Sequence, residues 1–210
     1  MQLVLASSSP RRQELLALLG LSFQVISPNV REHPTAGLSP IEQVTRFALE
    51  KARAVADQQP DALVLGSDTV IELDGQLLGK PADVSDARTM LMRLAGRSHL
   101  VHTAVALCNR DRGIEFVEID TAHVKMKSDL SDLYNRYLAS RESLGKAGAY
   151  AIQGVGGGLV DRVDGDYTTV VGLPLKLVDH LLRSAGYPVS ANVDDLYQRK
   201  PYANWNRFAV

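Results

Sequence analysis

Cysteine is almost absent from this sequence: Cys108 is the single one in 210 residues. An intrachain disulfide is therefore impossible and a thiolate zinc cluster is excluded, which suits a reducing compartment. Neither sign of charge is in excess. With 23 Lys and Arg against 24 Asp and Glu the formal net charge is −1, so no overall field favours nucleic acid or a membrane surface. A polyanion would have to be met by a local cluster. No stretch approaches the roughly 20 consecutive apolar residues of a membrane span. The short apolar run Leu3–Ala6 passes directly into serines, a proline and two arginines, unlike a signal peptide. These absences predict a cytoplasmic soluble protein with no nucleic-acid and no membrane partner.

Several devices of enzyme chemistry are missing too. There is no GxxxxGK[ST] run, no GxGxxG after a first strand and no GxSxG elbow, which removes P-loop, dinucleotide and α/β-hydrolase sites. The five histidines, His33, His99, His102, His123 and His180, show no HExxH spacing. His99 and His102 lie three apart in an expected strand and so face opposite sides, a poor metal pair. Cys108 reads as a small buried hydrophobe. The match Ser143-x-x-Lys146 is short enough to arise by chance.

What remains is an ordinary globular composition, 45% hydrophobic and 22% charged, long enough for one sizeable domain or two lobes closing over a cleft. Leu3–Ala6 reads as a buried strand. Ser9 and Pro10 suit the start of a helix that Gly20 stops. Phe23–Ile26 alternates like a strand, and the capping box Ser39-Pro40-Ile41-Glu42 opens a helix to about Asp57. Ala62–Gly66 predicts a strand bounded by Gly66-Ser67, and Val70–Leu73, Asp74-Gly75 and Gln76–Leu78 a hairpin. A helix is expected over Ser85–Ala95, strands over Leu100–Leu107 and Ile114–Met126, and a helix over Leu130–Ala139. A glycine-rich bend at 154–158 precedes a third expected hairpin, Leu159–Val163 with Tyr167–Val171, and Pro174 starts a last helix ending near Gly186. Helices and strands mix without strict alternation, so the expectation is a mixed sheet. Residues 187–210 carry Tyr187, Tyr197, Tyr202, Trp205 and Phe208 with little periodicity. They read either as a tail docked by its aromatics or as a dimer contact.

The segment Ser7-Ser8-Ser9-Pro10-Arg11-Arg12 carries the most chemical information. A strand, a tight polar turn and a helix start bring free backbone N–H groups and hydroxyls to one point. Arg11 and Arg12 fall in the first helical turn, where the macrodipole disfavours cations. An anion at the site would reconcile them, since guanidinium forks suit phosphate oxygens; the plainer alternative is a solvated basic turn. Asp68 follows an apolar strand, so it is expected at a strand end facing a cleft, where a carboxylate holds a divalent metal or activates water. Asp in that place is also a common turn former. Glu32, in a polar loop, is a candidate second carboxylate. Lys51, Lys80 and Lys146 are candidate partners of polyphosphate, though each taken singly reads as a surface lysine. The Gln153 amide, beside the glycine bend, is placed to read a base edge or to make a turn hydrogen bond.

Taken together these residues resemble the Maf family of nucleotide pyrophosphatases. The resemblance rests on Leu5–Arg12, Glu50-Lys51-Ala52, Gly66–Val70, Gly79-Lys80-Pro81, Lys146–Gly154 and Val171–Pro174, spanning Leu3 to about Leu182. It implies an α/β fold of the Maf and inosine-triphosphatase type, an elongated, bent mixed sheet flanked by helices around a central cleft. A two-lobed domain over 1–186 and an aromatic tail over 187–210 are the expected division, with a homodimer as the expected assembly. The resemblance further implies hydrolysis of the α–β bond of a nucleoside triphosphate to the monophosphate and pyrophosphate, with a divalent metal, Mg²⁺ or Mn²⁺. The catalytic aspartate falls on Asp68, also a metal ligand with Glu32. The phosphate-side residues fall on Ser7, Arg12, Lys51 and Lys80, and the residues of substrate choice on Arg11, Thr69 and Gln153. That set is similar to the branch acting on dTTP and UTP, in a pool-cleaning role. Departures are Ala95 before Gly96, Gly145 before Lys146, and Asp166 before Tyr167. A nucleotide-binding regulator of cell division with little catalysis, or a nucleotidyl transferase, are the alternatives.

Overall fold

In the computed structural model, which describes residues 1–128 and 131–208, the first apolar run is strand β1 (Leu3–Ala6), followed through the serine turn by helix α1 (Pro10–Ala17). Strand β2 (Gln24–Ile26) and helix α2 (Pro40–Ala56) come next. The capping box is formed: Glu42 N–H donates to Ser39 Oγ at 3.3 Å, and Ser39 N–H donates back to the Glu42 carboxylate at 2.8 Å. Strands β3 (Leu63–Leu73) and β4 (Gln76–Leu78) form the hairpin around Asp74-Gly75. After α3 (Val84–Leu94) come the long strands β5 (Ser98–Asn109) and β6 (Ile114–Met126), then α4 (Ser131–Ala139). The expected helix start at Leu130 lies outside the described residues. Two 3-10 turns, Ala147–Ala149 and Gly154–Leu159, lead to β7 (Val160–Asp164). Helices α5 (Tyr167–Val171), α6 (Leu175–Ser184), α7 (Val193–Arg199) and α8 (Trp205–Phe208) complete the chain.

Three expectations are corrected. Gly66-Ser67 does not bound a strand: β3 runs unbroken for eleven residues, because β5 pairs with every residue from Val64 to Glu72. Asp68 is therefore in mid-strand rather than at a strand end. Tyr167–Val171 is a helix, not the return strand of a hairpin. The Asp166 carboxylate caps it, accepting from Thr168 N–H at 2.7 Å and Thr168 Oγ1 at 2.8 Å, and Gly172 closes it at φ 120°. That local capping overrides the strand preference of the Thr-Thr-Val-Val run. Ser9, finally, stands at the N-cap of α1 but makes no side-chain cap.

The strands form one mixed sheet in the order β2-β1-β3-β5-β6-β7, with β4 also on β3. β1 pairs in parallel with β2 and β3; all other pairs are antiparallel. Alternation along β1 and β3 divides the core between the two faces. Val4, Ala6, Val64 and Val70 pack on one face against Val44, Ala48, Ala52 and Val55 of α2. Leu3, Leu5, Leu63 and Leu65 pack on the other against α1 and α6, in a cluster that also takes in Leu196, Trp205 and Phe208 of the C-terminal segment.

The sheet contains one gap that positions everything else. β1 ends at Ala6, opposite Gly66, while β4 joins the same edge of β3 only at Ile71. Between them, residues 67–70 are paired with β5 on one side and open on the other. The open side lies just beyond the carboxyl end of a parallel strand, where crevices form in α/β sheets.

Candidate active site

The gap opens into a cavity of about 540 Å³ lined by the 7–12 turn, Glu32, Lys51, Asp68, Thr69, Lys80 and the 144–147 segment. Because side chains alternate along β3, Asp68 projects toward α2 and Thr69 toward α1 and α5. Both reach the cavity because it straddles the sheet edge.

Helix α2 can approach this stretch because residue 66 has no side chain. A Cβ there would lie 2.5 Å from the Ala48 carbonyl oxygen and 2.7 Å from the Ala52 nitrogen. The close approach sets Lys51 Nζ 2.5 Å from Asp68 Oδ1 and 2.6 Å from Glu32 Oε1, both lysine and aspartate being buried. Lys80 Nζ lies 2.6 Å from the other oxygen of Glu32. Four charges thus alternate in sign from the floor of the cavity to its exposed rim. Burial alone would raise the Glu32 carboxyl, but Lys51 and Lys80 outweigh it and hold it at about 2. For Asp68, burial is the larger effect and raises the carboxyl above the ordinary range, against the pull of Lys51 and Arg12.

On the opposite face Arg12 is held by two fixed acceptors. Its Nε donates to the Gly172 carbonyl at 2.9 Å, and its Nη2 donates to Thr69 Oγ1 at 3.2 Å. Ser67 Oγ donates to the same Gly172 oxygen at 3.2 Å. Thr69 Oγ1 is 2.9 Å from Thr103 Oγ1, which donates to the Thr169 carbonyl at 2.8 Å. Burial lowers the Arg12 guanidinium below its ordinary value, with Asp68 opposing. Ser7 is buried, and its Oγ accepts from Ser9 N–H at 3.1 Å. Ser9 makes no side-chain cap, which leaves the first-turn amides of α1 without that acceptor, and Ser7 to Arg12 line the cavity.

The other end of the cavity is of different character. Ile71, Val101, Leu144, Ile152 and Val170 give it an apolar wall, with Arg11 and Lys146 at its margin. Burial depresses both cations, and their mutual repulsion depresses Lys146 further. Gln153 is half-exposed beside Ile152 and is not among the lining residues. The structure therefore gathers Ser7, Arg11, Arg12, Glu32, Lys51, Asp68, Thr69 and Lys80 around one space, with Gln153 at its border. Three contributors carried no signal of their own in the sequence: the Gly172 carbonyl, Thr103, and His99, whose Nε2 lies 2.7 Å from the hydroxyl of the cavity-lining Tyr150.

Among the described residues no three His, Cys, Asp or Glu side chains gather into a metal cage. Asp68 and Glu32, both within reach of one ammonium, offer two hard oxygen donors of the kind a divalent cation takes when phosphate and water complete its shell. The donor set fits such an ion bound together with a polyphosphate.

The chain is similar to known proteins over most of its length. The family model described as Maf-like protein matches residues 2–185. The chain belongs to the Maf family. Relatives match the chain over almost their whole length. The dTTP/UTP pyrophosphatase of Symbiobacterium thermophilum is 48% identical over 188 residues, covering 90% of this chain and 96% of that protein. The dTTP/UTP pyrophosphatase of Moorella thermoacetica is 46% identical over 192 residues, covering 91% and 99%. Among solved structures, a HAM1 protein from Coxiella burnetii is 20% identical and covers 61% of this chain and 74% of that one at a TM-score of 0.45. That overlap is too partial to define the fold, which rests on the sheet topology itself.

Proposed function

We propose that this Maf protein is a nucleoside triphosphate pyrophosphatase. In this reading it hydrolyses the α–β anhydride of dTTP, UTP or modified pyrimidine triphosphates to the monophosphate and pyrophosphate. The observation that carries it is the alternating Asp68–Lys51–Glu32–Lys80 array facing Arg12 across a cavity of about 540 Å³. It gains support from the dTTP/UTP pyrophosphatases that match this chain over nearly their full length.

A tetraanionic triphosphate repels an incoming hydroxide, so cations must be in place before water attacks. Arg12, Lys51 and Lys80 meet the phosphates, and the free amides of α1 add their partial charges. Glu32 withdraws from Lys51 and Lys80 as phosphate oxygens replace it. Asp68 orients the attacking water toward the α phosphorus. As the water oxygen bonds to phosphorus, its proton passes to Asp68 and the bond to the bridging oxygen breaks. The electron pair leaves with pyrophosphate. An aspartate at the usual value of about 4 is a weak base; the upward push of burial on Asp68 improves it for this role. A divalent cation held by Asp68 and Glu32 would supply further positive charge to the phosphate oxygens. The base then lies against the apolar wall, with Arg11, Thr69 and Gln153 governing its choice.

The test is purified protein with Mg²⁺ and a panel of triphosphates, scored for monophosphate and pyrophosphate. Release of both from dTTP and UTP is expected. No turnover of any triphosphate would sink the reading and favour a nucleotide-binding regulator. Turnover only with an added acceptor would make the protein a transferase.

A further inference from the structure

The family match ends at residue 185, yet the chain beyond it touches three separate parts of the site's frame. Tyr202 donates its hydroxyl to the Glu14 carboxylate, one turn along α1 from Arg11. Asn204 donates its side-chain amide to the carbonyls of Ile152, at 3.0 Å, and Gly154, at 3.4 Å. Those two carbonyls flank Gln153. Tyr197 donates to Asp166 and lies 2.9 Å from Thr168 Oγ1, at the start of the short helix whose closing Gly172 carbonyl holds Arg12.

These contacts are built rather than incidental. Trp205 and Phe208 are 2% and 4% exposed and stack on Tyr167, with ring centroids 5.8 and 6.2 Å apart. The Tyr167 hydroxyl donates to the Ala203 carbonyl at 2.5 Å. This aromatic packing fixes the backbone on both sides of Asn204, which adopts the left-handed conformation at φ 62° that asparagine tolerates better than most residues. The Asn204 amide also needs an empty neighbour: a Cβ on Gly157 would lie 2.6 Å from Asn204 Nδ2.

We infer that residues 187–208 are a brace for the nucleoside end of the cleft, in which Asn204 positions Gln153 and Tyr202, through Glu14, positions Arg11. Neither residue is assigned to the substrate; both act on side chains that the pyrophosphatase reading assigns to the base. The inference rests on the pyrophosphatase reading, because it assigns Arg11 and Gln153 to the base. It goes beyond that reading by giving substrate discrimination to a segment outside the family's shared span. A brace of this kind acts on binding and base choice. The phosphate end of the cleft, with Lys51, Asp68 and Lys80, has no contact with Tyr202 or Asn204 and keeps its chemistry.

The experiment compares wild type, Asn204→Asp and Tyr202→Phe in steady-state kinetics on dTTP and CTP, with Tm measured alongside. Asn204→Asp keeps the size and the backbone tolerance but replaces two donors with a carboxylate facing two carbonyls. For a lost pair of partly buried hydrogen bonds, KM for dTTP is expected to rise about tenfold with kcat within about twofold of wild type. The preference for dTTP over CTP should narrow by a similar factor. Tyr202→Phe should shift KM in the same direction by about threefold, the loss of one hydrogen bond, and carries the test if the first variant does not fold. An unchanged KM and substrate ratio in an active, folded variant would overturn the brace alone. An equal loss of kcat on both substrates together with a lower Tm would reduce it to plain stabilisation. Wild-type protein that turns over no triphosphate would remove the pyrophosphatase reading, and the brace with it.

Discussion

Lys51 and Asp68 meet at 2.5 Å although one lies inside α2 and the other in the middle of β3. Their pairing is buried, so stability and chemistry are coupled there and can be separated by mutation. Lys51→Met leaves an uncompensated carboxylate in the floor of the cavity and should cost about 3 kcal/mol or more. Asp68→Asn should cost less, since Glu32 still faces the ammonium. Each variant should lose roughly a thousandfold in turnover. The double variant should regain stability, read by urea unfolding, without regaining activity. Near-normal turnover by Asp68→Asn with normal metal binding would show that the carboxylate has no part in the reaction.

Gly66→Ala tests whether the approach of α2 to β3 sets the site. The added methyl meets backbone atoms of Ala48 and Ala52, which cannot rotate away. Overpacking of this kind costs about 1–3 kcal/mol. The displaced segment carries Lys51, so turnover should fall by far more than in a variant of equal destabilisation at the exposed end of β6. Equal activity losses in the two variants would disconnect the helix approach from function.

The Glu32–Lys80 pair is at the rim, with the lysine side chain 55% exposed. Lys80→Ala should therefore change stability by less than about 1 kcal/mol while raising KM for the triphosphate about tenfold, since one phosphate partner is lost. Glu32→Gln should raise the Mg²⁺ concentration needed for half-maximal rate. Chelation of divalent ions should abolish turnover yet leave Tm nearly unchanged, because Lys51 and Lys80 already neutralise the carboxylates without metal. A large fall in Tm on chelation would point to a structural ion.

His99 predicts a pH effect on stability that is independent of catalysis. Burial lowers its imidazole from the ordinary 6.5 to about 4, and its Nδ1 has no hydrogen-bond partner among the described residues. The unfolded chain therefore binds a proton below pH 6.5 that the folded protein refuses until about pH 4. The contribution is complete above 6.5 and is lost as pH falls toward 4, on the order of 3 kcal/mol for a shift of this size. Thermal unfolding across that range should show the loss in wild type and a shallower slope in His99→Gln. Identical slopes would mean that His99 is not the group responsible.

The sequence by itself determined the parts whose physics is local. The capping box at Ser39, the Asp74-Gly75 hairpin, strand β1 and the placing of Arg11 and Arg12 in the first turn of α1 follow from neighbouring residues. Asp68, Lys51 and Lys80 were legible as chemical types in suggestive places and, through the family motifs, as members of one set. Where two forces disagree, the sequence misled. Gly66-Ser67 looks like a strand end because glycine weakens strands locally, but pairing with β5 carries β3 through it. Tyr167–Val171 looks like a strand because its residues prefer one, but Asp166 and Gly172 cap it as a helix. Only the tertiary structure decided that β1 stops opposite Gly66, two residues before Asp68, and that α2 lies close enough to pair Lys51 with Asp68. It also decided that a C-terminal segment of weak periodicity reaches back to Glu14 and to the carbonyls of Ile152 and Gly154. Those are contacts between residues 17 to 188 positions apart, and no pattern within a window of sequence encodes which distant surface a side chain will meet.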